Sequence, residues 1–372
     1  MTENTPAQRK IVMILADLAR GGVGKTRAHL ANEFARRGIH VDLLLARRSS
    51  PYLNIINASV RVLDIPTSHA LFGVPWLAWF LRRERPDVVL THRSRINTLA
   101  LRASKLACTH TPIYTTLNTN LSSQLASLSS VKSSNQLAQM RRDFPQNDGL
   151  IAVSSGVAND AEKLLSLKKE RIKVIYDPVV THAIFELAKQ PPNHPWISDS
   201  PAPFIAIGRL EPQKEFSTLI NAYHKLKKEG YKNRLIILGE GKLRPQLEAH
   251  IASLELNNHI SLPGFVTNPY AYIARSSMLI MSSAWEGLGD VLVEALALGT
   301  PVVSTDCPSG PSEILDGGRY GRLVPVGDAT ALAEAIMATL LSPLPAETLK
   351  LAAERFRLEC VADEYLRAMN LA

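Results

Sequence analysis

Short apolar runs alternate with helix-length amphipathic segments along almost the whole of this chain of 372 residues. The runs are apolar almost throughout, which is typical of strands buried on both faces of a parallel sheet. Helices are predicted between them, for example at Gly24–Arg37 and Ile96–Leu106, each with an apolar stripe. The alternation therefore predicts an α/β fold. In the first half of the chain the predicted strands are Ile11–Leu15, Val41–Leu45, Val60–Leu63, Val88–Thr91, Ile113–Thr116, Leu150–Val153 and Lys173–Tyr176.

A proline-rich segment interrupts this alternation, which then starts again. Because the stretch from Pro191 to Pro203 has no helical or strand period, we predict a linker over residues 181–203. Beyond it the predicted strands are Phe204–Ile207, Leu235–Leu238, Ile260–Leu262, Leu279–Met281, Pro301–Ser304 and Arg322–Val324. The predicted helices are Phe216–Glu229, Leu243–Leu254, Val291–Leu298 and Ala329–Leu341.

Two doubly wound, Rossmann-like domains in series are the simplest account of this pattern, one over residues 1–180 and one over residues 204–354. We expect a C-terminal helix, at about residues 355–372, to pack back on the first domain. Ligands of such sheets bind beyond the carboxyl ends of the strands, so we expect the two domains to face each other across a cleft. The segment from Asn118 to Phe144 is rich in Ser, Asn and Gln and is predicted to begin as a mobile loop.

Charge, cysteine content and the distribution of apolar residues limit the possible partners and the cellular location. The formal net charge is +8, which favours phosphate-rich partners. Nucleic acid is not expected, since no basic run is interleaved with aromatic residues. Three widely spaced cysteines suggest neither a disulfide framework nor a metal cage. Without a signal-like apolar centre in Met1–Gln8 or an apolar run of roughly 20 residues, we expect a cytoplasmic location.

The most informative stretch runs from Trp285 to Ala297 and follows a predicted strand directly. Glu286 lies at the strand's end, and Glu294 lies inside the helix that follows. The glycines between them let the backbone approach a bulky anion, towards which the helix N-terminus points its free N–H groups. Carboxylates suit sugars because they accept hydrogen bonds from adjacent hydroxyls. The stretch predicts that both glutamates face one pocket.

This stretch resembles the glutamate–seven residues–glutamate motif of glycosyltransferase family four, whose members have the GT-B fold. Four further segments resemble that family in the same order: Gly208-Arg209-Leu210 with Lys214, Leu238-Gly239-Glu240-Gly241, Pro263-Gly264-Phe265-Val266, and Cys307 to Leu315. Five motifs in the correct order favour the family over a chance pair of acids.

The resemblance implies a retaining glycosyltransferase that uses a nucleotide-diphosphate sugar, a UDP-sugar on family frequency. It implies that Arg209 and Lys214 neutralise the diphosphate, that Glu286 contacts the transferred sugar, and that Glu294 contacts the ribose. No metal or other cofactor is expected. The implied donor-binding positions are completed by Gly208, Gly239, Gly264, Phe265, Val266, Gly287, Leu288 and Gly289. The implied acceptor is a glycan or a lipid-linked molecule of the cell envelope or an exopolysaccharide.

The N-terminal glycines allow a competing interpretation. Gly21 to Thr26 is similar to the deviant P-loop of ParA-like ATPases, with Arg20 at the lysine position. An ATPase would need an acidic strand end further on, and Val88–His92 is not one. The family resemblance instead implies that Gly21 and Gly22 lie near the donor's phosphate and the acceptor. A nucleotide-sugar epimerase on the same fold is a further alternative.

His92 ends a predicted strand, where an α/β sheet places functional groups. Asp87–His92 resembles the family strand whose terminal histidine sits beside the donor sugar, so His92 is a candidate catalytic residue; the alternative is an incidental histidine. The family often has a second histidine on the next strand, and this sequence has Asn118 there. That departure weakens any mechanism that needs a second imidazole.

The segment Leu71–Arg85 joins tryptophans to a basic cluster. Helices that lie on anionic membranes combine these features. A helix packed on a Rossmann sheet also needs an apolar stripe, however, and this interpretation is favoured. Peripheral contact with the inner face of the cytoplasmic membrane stays open as a prediction.

Overall fold

The computed structural model of the chain describes residues 9–18, 21–47, 52–66 and 70–372. Two compact units divide the chain. The first extends to Pro178 and also takes in Leu358–Ala372, whereas the second is Val179–Arg357. Each unit is built around its own parallel sheet.

The first unit has a sheet of seven strands in its described residues, in the order β3-β2-β1-β4-β5-β6-β7. All neighbouring strands are parallel. The strands are β1 (Lys10–Leu15), β2 (His40–Leu45), β3 (Val60–Asp64), β4 (Val88–His92), β5 (Ile113–Leu117), β6 (Gly149–Ala152) and β7 (Ile172–Val174). The helices are α1 (Gly22–Arg36), α2 (Ala70–Glu84), α3 (Ser94–Ala107), α4 (Leu121–Ala126), α5 (Ser130–Asp143) and α6 (Ser155–Leu165).

The second unit repeats this plan with six strands, in the order β10-β9-β8-β11-β12-β13. They are β8 (Phe204–Ile207), β9 (Leu235–Leu238), β10 (Ile260–Gly264), β11 (Met278–Met281), β12 (Val302–Thr305) and β13 (Arg322–Val324). The helices of this unit are α7 (His182–Lys189), α8 (Phe216–Lys228), α9 (Arg244–Ser253), α10 (Tyr270–Ile273), α11 (Asp290–Ala297), α12 (Pro311–Ile314), α13 (Ala329–Leu341) and α14 (Ala346–Ala353). The last helix, α15 (Leu358–Ala368), belongs to the first unit.

Side chains of the first sheet alternate between two buried layers, because successive residues of a strand point to opposite faces. Ile11 and Met13 pack in the layer that contains Phe34 of α1 and Tyr365 of α15. Val12 belongs to the opposite layer, which holds side chains of α2 and α3. The apolar runs of the sequence are therefore strands buried on both faces, as predicted, and the predicted α/β fold class is confirmed.

Each sheet has a topological switch point, where the strand order reverses. In the first unit β1 is paired with both β2 and β4, and in the second unit β8 is paired with both β9 and β11. Ligands of doubly wound sheets bind at these points, beyond the carboxyl ends of the strands. Gly21 follows β1 and His92 is the last residue of β4, whereas the loops after β8 and β11 carry Arg209 and Glu286.

Residues 181–203 form part of the second unit rather than a linker. They begin with α7, which packs on α10. The carbonyl groups at the end of α7 are satisfied by side chains, since Asn268 donates to Leu187 O at 2.8 Å and Arg275 donates to Ala188 O at 2.8 Å. The proline-rich stretch follows this helix, so composition marked a loop beside the first strand of the unit and not a boundary between units.

The segment after Asn118 is also more ordered than predicted, since it forms α4 and α5. Asn120 caps α4 by accepting a hydrogen bond from the N–H of Ser123 at 2.9 Å. Leu125 and Met140 are buried and fix the two helices to the unit. The prediction of a mobile loop was wrong because a cap and a few apolar anchors outweigh the low helix propensity of serine and asparagine.

The apolar stripe of α2 packs into the hydrophobic core of the first unit. Leu77, Phe80 and Leu81 are buried in the layer beneath α2, whereas Trp79 is 54% exposed beside Arg83. The side chains of residues 70–72 lie outside the described part of the segment. Membrane contact by this helix stays a prediction. Among the described residues no single helix is long and apolar enough to cross a membrane, and one bent pair, Ala329–Leu341 with Ala346–Phe356, passes by length and composition alone.

Candidate functional site

Three of the predicted glycines lie side by side at the ends of β8, β9 and β10. The N–H of Gly208 donates to Leu238 O at 3.0 Å, and the N–H of Gly239 donates to Gly264 O at 2.9 Å. Gly239 has a φ of 143°, and a Cβ atom there would lie 1.8 Å from the carbonyl oxygen of Gly208. The backbones of the strand ends are thus too close for any side chain at position 239.

We expect Gly239→Ala to destabilise the second unit by roughly 3 kcal/mol or more, because it combines a steric clash with backbone strain. Gly230→Ala is the matched control, since Gly230 also has a positive φ, 84°, but a Cβ there would meet nothing within 4 Å. Strain alone should cost the control about 1 kcal/mol. Urea unfolding measures both. Equal losses in the two variants would show that the close approach of Gly208 is not needed for stability.

Lys214 and Glu286 form a largely buried ion pair at the switch point of the second sheet. The Lys214 Nζ atom contacts Glu286 Oε1, and the two side chains are 15% and 9% exposed. The lysine stem lies flat over Gly208, where a Cβ would come within 3.0 Å of three of its carbons. Gly208 therefore leaves space for the lysine to reach the glutamate from a different strand end.

Glu286 has further partners that position its carboxylate. The hydroxyl of Ser283 donates to Glu286 Oε1 at 2.6 Å, and the backbone N–H of Glu286 donates to Pro308 O at 3.2 Å. Cys307 lies close by; burial and then the charge of Glu286 raise the pKa of its thiol. Glu286 is thus held between the end of β11 and the segment from Cys307 to Leu315. The sequence carried no distinct signal for Ser283.

Arg209 follows Gly208 and is open to solvent, with a side chain that is 57% exposed. Its guanidinium donates to Gln213 Oε1 at 3.2 Å, and the Gln213 amide donates to Trp285 O at 2.9 Å. Gln213 thus bridges Arg209 and the loop that carries Glu286. Sequence reasoning did not single out Gln213.

Glu294 lies inside α11 and is 2% exposed. Tyr270, which follows Phe265 and Val266 after β10, donates from its hydroxyl to Glu294 Oε1 at 3.4 Å. The helix begins after Gly289, whose φ is 101°. Close beside it, a Cβ at Gly310 would lie 1.9 Å from Leu288 O, so the two glycine loops touch. The structure thus brings the predicted glycine loop, the helix N-terminus and Glu294 into one region of the second unit.

The first-unit candidates lie at the ends of two neighbouring strands. Gly21, with a φ of 128°, precedes α1, and Gly22 is its first residue. His92 ends β4 and is 7% exposed, with Nδ1 3.3 Å from Thr116 Oγ1. Burial, followed by the charges of Arg27 and Arg93, lowers the pKa of His92 to about 3. The imidazole is therefore neutral at physiological pH and suited to hydrogen bonding rather than to carrying charge. Arg20 lies outside the described residues.

A buried polar cluster, unnoticed in the sequence, lies behind His92. Arg27 of α1 is 1% exposed; it donates to Asp177 Oδ1 at 2.9 Å and to the Tyr365 hydroxyl at 2.7 Å. Asn118 donates to Asp177 Oδ1 at 3.5 Å. The cluster connects α1 and α15 with Asp177, which lies in the loop after β7. Residue spacing gives no hint of it, because Arg27 and Tyr365 are 338 positions apart.

The predicted site residues therefore form two groups, each at the switch point of its own sheet. Gly21, Gly22 and His92 belong to the first unit. The second unit holds the remaining candidates, among which Lys214 and Glu286 are in direct contact. Basic and acidic groups beside glycine loops and a helix N-terminus are chemically suited to an anionic, hydroxyl-rich ligand.

Comparison with known proteins identifies the family. The model described as "Glycosyltransferase Family 4" matches residues 20–183, and that described as "Glycosyl transferases group 1" matches residues 193–356. The chain belongs to the family-four glycosyltransferases with the GT-B fold.

Individual relatives and solved structures agree with this assignment. The lipopolysaccharide core biosynthesis glycosyltransferase LpsE of Rhizobium meliloti is 27% identical over 94% of this chain and 96% of its own length. The N-acetylgalactosamine-N,N'-diacetylbacillosaminyl-diphospho-undecaprenol 4-alpha-N-acetylgalactosaminyltransferase of Campylobacter jejuni is 30% identical over 53% of this chain, and the match spans about half, 52%, of that protein. The structure of Anabaena HepE with UDP and glucose shares the fold with a TM-score of 0.79 and 19% identity, covering 98% of this chain and 100% of HepE.

Proposed function

We propose that this chain is a retaining glycosyltransferase that moves a sugar from a UDP-sugar to a glycan or lipid-linked acceptor in cell-envelope or exopolysaccharide biosynthesis. The observation that carries the proposal is the Lys214–Glu286 pair at the second switch point, beside the N-terminus of α11. The names of the relatives support the setting, since LpsE is named for lipopolysaccharide core biosynthesis and the Campylobacter enzyme for a diphospho-undecaprenol acceptor. The UDP-bound HepE structure supports the base.

In the proposed reaction the bond between the sugar C1 and the diphosphate oxygen breaks, and the acceptor oxygen bonds to C1 on the same face. The acceptor's proton passes to the leaving diphosphate, so UDP and a sugar with unchanged anomeric configuration are the products. Lys214, Arg209 and the free N–H groups of α11 stabilise the charge that develops on the leaving group. Glu286 holds hydroxyls of the transferred sugar and Glu294 those of the ribose. In this proposal Lys214, Arg209 and the N–H groups of α11 supply the positive charge, and no metal is required.

The ParA-like ATPase and epimerase alternatives receive no support from the family matches. To discriminate among the three functions, the protein is incubated with UDP-, GDP- and ADP-sugars and with ATP, each with and without a metal chelator. We expect sugar release from the UDP-sugar at a rate that the chelator does not change. Hydrolysis of ATP without release of any sugar would overturn the proposal, as would epimerisation of the sugar without release of nucleotide.

A further inference from the structure

A groove of about 500 Å³ lies between α3 and α5 on the first unit. The two helices run in the same direction there, because Gln139 contacts Thr98 and, seven residues further along in each case, Gln146 just after α5 contacts Lys105 of α3. Arginines line it from both sides: Arg95 and Arg102 from α3 and Arg142 from α5. Leu99 and Ala138 add apolar surface to its wall. None of these residues belongs to the donor site described above.

One of the three arginines has an evident structural task. Arg142 binds both oxygens of the buried Asp143, at 2.8 and 3.4 Å, and the hydroxyl of Thr98 donates to the same carboxylate. These contacts keep Asp143 charged: although burial opposes the charge, the hydrogen bonds of Arg142 and Thr98 lower its pKa. The carboxylate of Asp143, next to the lining residue Arg142, is thereby already bound by Arg142 and Thr98.

Arg95 and Arg102 make no such hydrogen bond, although the charge of Arg102 also lowers the pKa of Asp143. Both are exposed, and neither makes an ion pair or a side-chain hydrogen bond within the part of the chain that the structure describes. They stand two turns apart on one face of α3, roughly 10 Å along the helix axis. Guanidinium groups bind phosphate oxygens through two parallel hydrogen bonds. Two free guanidiniums at this spacing suit an extended anion such as a diphosphate better than a single small ion.

The groove also begins close to His92, the candidate catalytic residue of the first unit. Arg95 is in the first turn of α3, which follows His92 and the carboxyl end of β4 directly. An acceptor hydroxyl at this edge of the sheet would leave the rest of the acceptor beside α3. Resting on the proposed function, we propose that the groove between α3 and α5 binds the diphosphate of a phosphorylated acceptor through Arg95 and Arg102.

The test measures pyrophosphate binding by titration calorimetry with UDP present at saturation, so that the donor site is already filled. The groove variant is Arg95→Gln with Arg102→Gln, and the control is Lys225→Gln with Lys228→Gln, which removes the same charge from exposed positions of α8. We expect the groove variant to bind pyrophosphate at least tenfold more weakly than the wild type, since each lost charge-assisted contact is worth about tenfold. The control should bind like the wild type. Melting temperatures should be nearly equal, because neither arginine makes an ion pair or a hydrogen bond and Arg142 still binds Asp143 in the groove variant.

A second arm uses vesicles of phosphatidylcholine with and without phosphatidylglycerol. Loss of vesicle binding by the groove variant with unchanged pyrophosphate binding would assign the arginines to a lipid surface and overturn the proposal. Equal weakening in the control, or no pyrophosphate bound by the wild type once UDP is present, would overturn it as well. UDP affinity is measured on the same proteins. If the wild type does not bind UDP, the proposed donor site is refuted. The pyrophosphate result would then still test the groove independently.

Discussion

Lys214→Met is expected to lower kcat/KM for sugar transfer at least hundredfold and the free energy of unfolding by about 3 kcal/mol. The loss of activity follows from removal of a positive charge that the leaving diphosphate needs. The loss of stability follows because Glu286, 7% exposed, would be left buried without its cation. A buried ion that loses its partner costs far more than the pair contributes.

A double variant separates these two effects. Lys214→Met with Glu286→Gln removes both charges, and the glutamine amide can still accept from Ser283, which donates to Glu286 Oε1 at 2.6 Å in the wild type. We expect the stability to return to within about 1 kcal/mol of the wild type, since no buried charge is left unpaired. Transfer should stay at least hundredfold impaired. Urea unfolding and UDP release measure the two properties; recovery of both would make the pair a structural feature and our site assignment wrong.

Much of the fold was predictable because buried parallel strands read as continuous apolar runs. The bounds of β8, β9 and α13 agree with the prediction to the residue. Other elements differ at their ends, where local contacts decide. The helix that opens the first unit begins at Gly22 and not at Gly24, since a glycine of positive φ before it already allows the turn. Such capping detail depends on the neighbouring backbone and is not visible in a periodic pattern.

The helices between Asn118 and Phe144 were not predictable in the same way. α5 is rich in serine and glutamine, and its stability depends on a few buried side chains such as Met140. Tertiary packing outweighs intrinsic propensity in such segments. The proline-rich region was misjudged for the related reason that α7 precedes it and is held by Asn268 and Arg275, which are remote in sequence.

For the candidate site, too, the sequence predicted some residues and not others. Short motifs located Lys214, Glu286 and Glu294, because each combines a strand end with glycines and a functional side chain. The sequence did not indicate the residues that surround these candidates, because such residues have their partners in distant parts of the chain. Asp177 lies 150 positions from Arg27 and shows no motif of its own. Contacts of this kind form only once distant parts of one unit have packed together.

Removing the buried guanidinium of Arg27 is expected to have the other large effect, on the stability of the first unit. Arg27→Met leaves Asp177, which is 3% exposed, without the cation that lies 2.9 Å from it. We expect a loss of about 3–5 kcal/mol at neutral pH, the usual cost of breaking one side of a buried ion pair. Arg27→Met with Asp177→Asn is the matched control. It should lose much less, because both charges are gone.

The same variant should also depend on pH in a defined direction. Burial raises the pKa of Asp177 above its ordinary value, and the charge of Arg27 opposes that rise, so the pKa rises further when Arg27 is absent. A carboxyl with a higher pKa in the folded than in the unfolded state contributes less stability as the pH rises through its folded value. The deficit of Arg27→Met should therefore be greatest in mildly alkaline solution and shrink on acidification, as Asp177 takes up a proton and becomes neutral. Urea unfolding between about pH 5 and pH 8 measures it, relative to the wild type and the double variant. A deficit that does not change with pH would mean that Arg27 stabilises the unit through packing and its bond to Tyr365, and not by compensating the charge of Asp177.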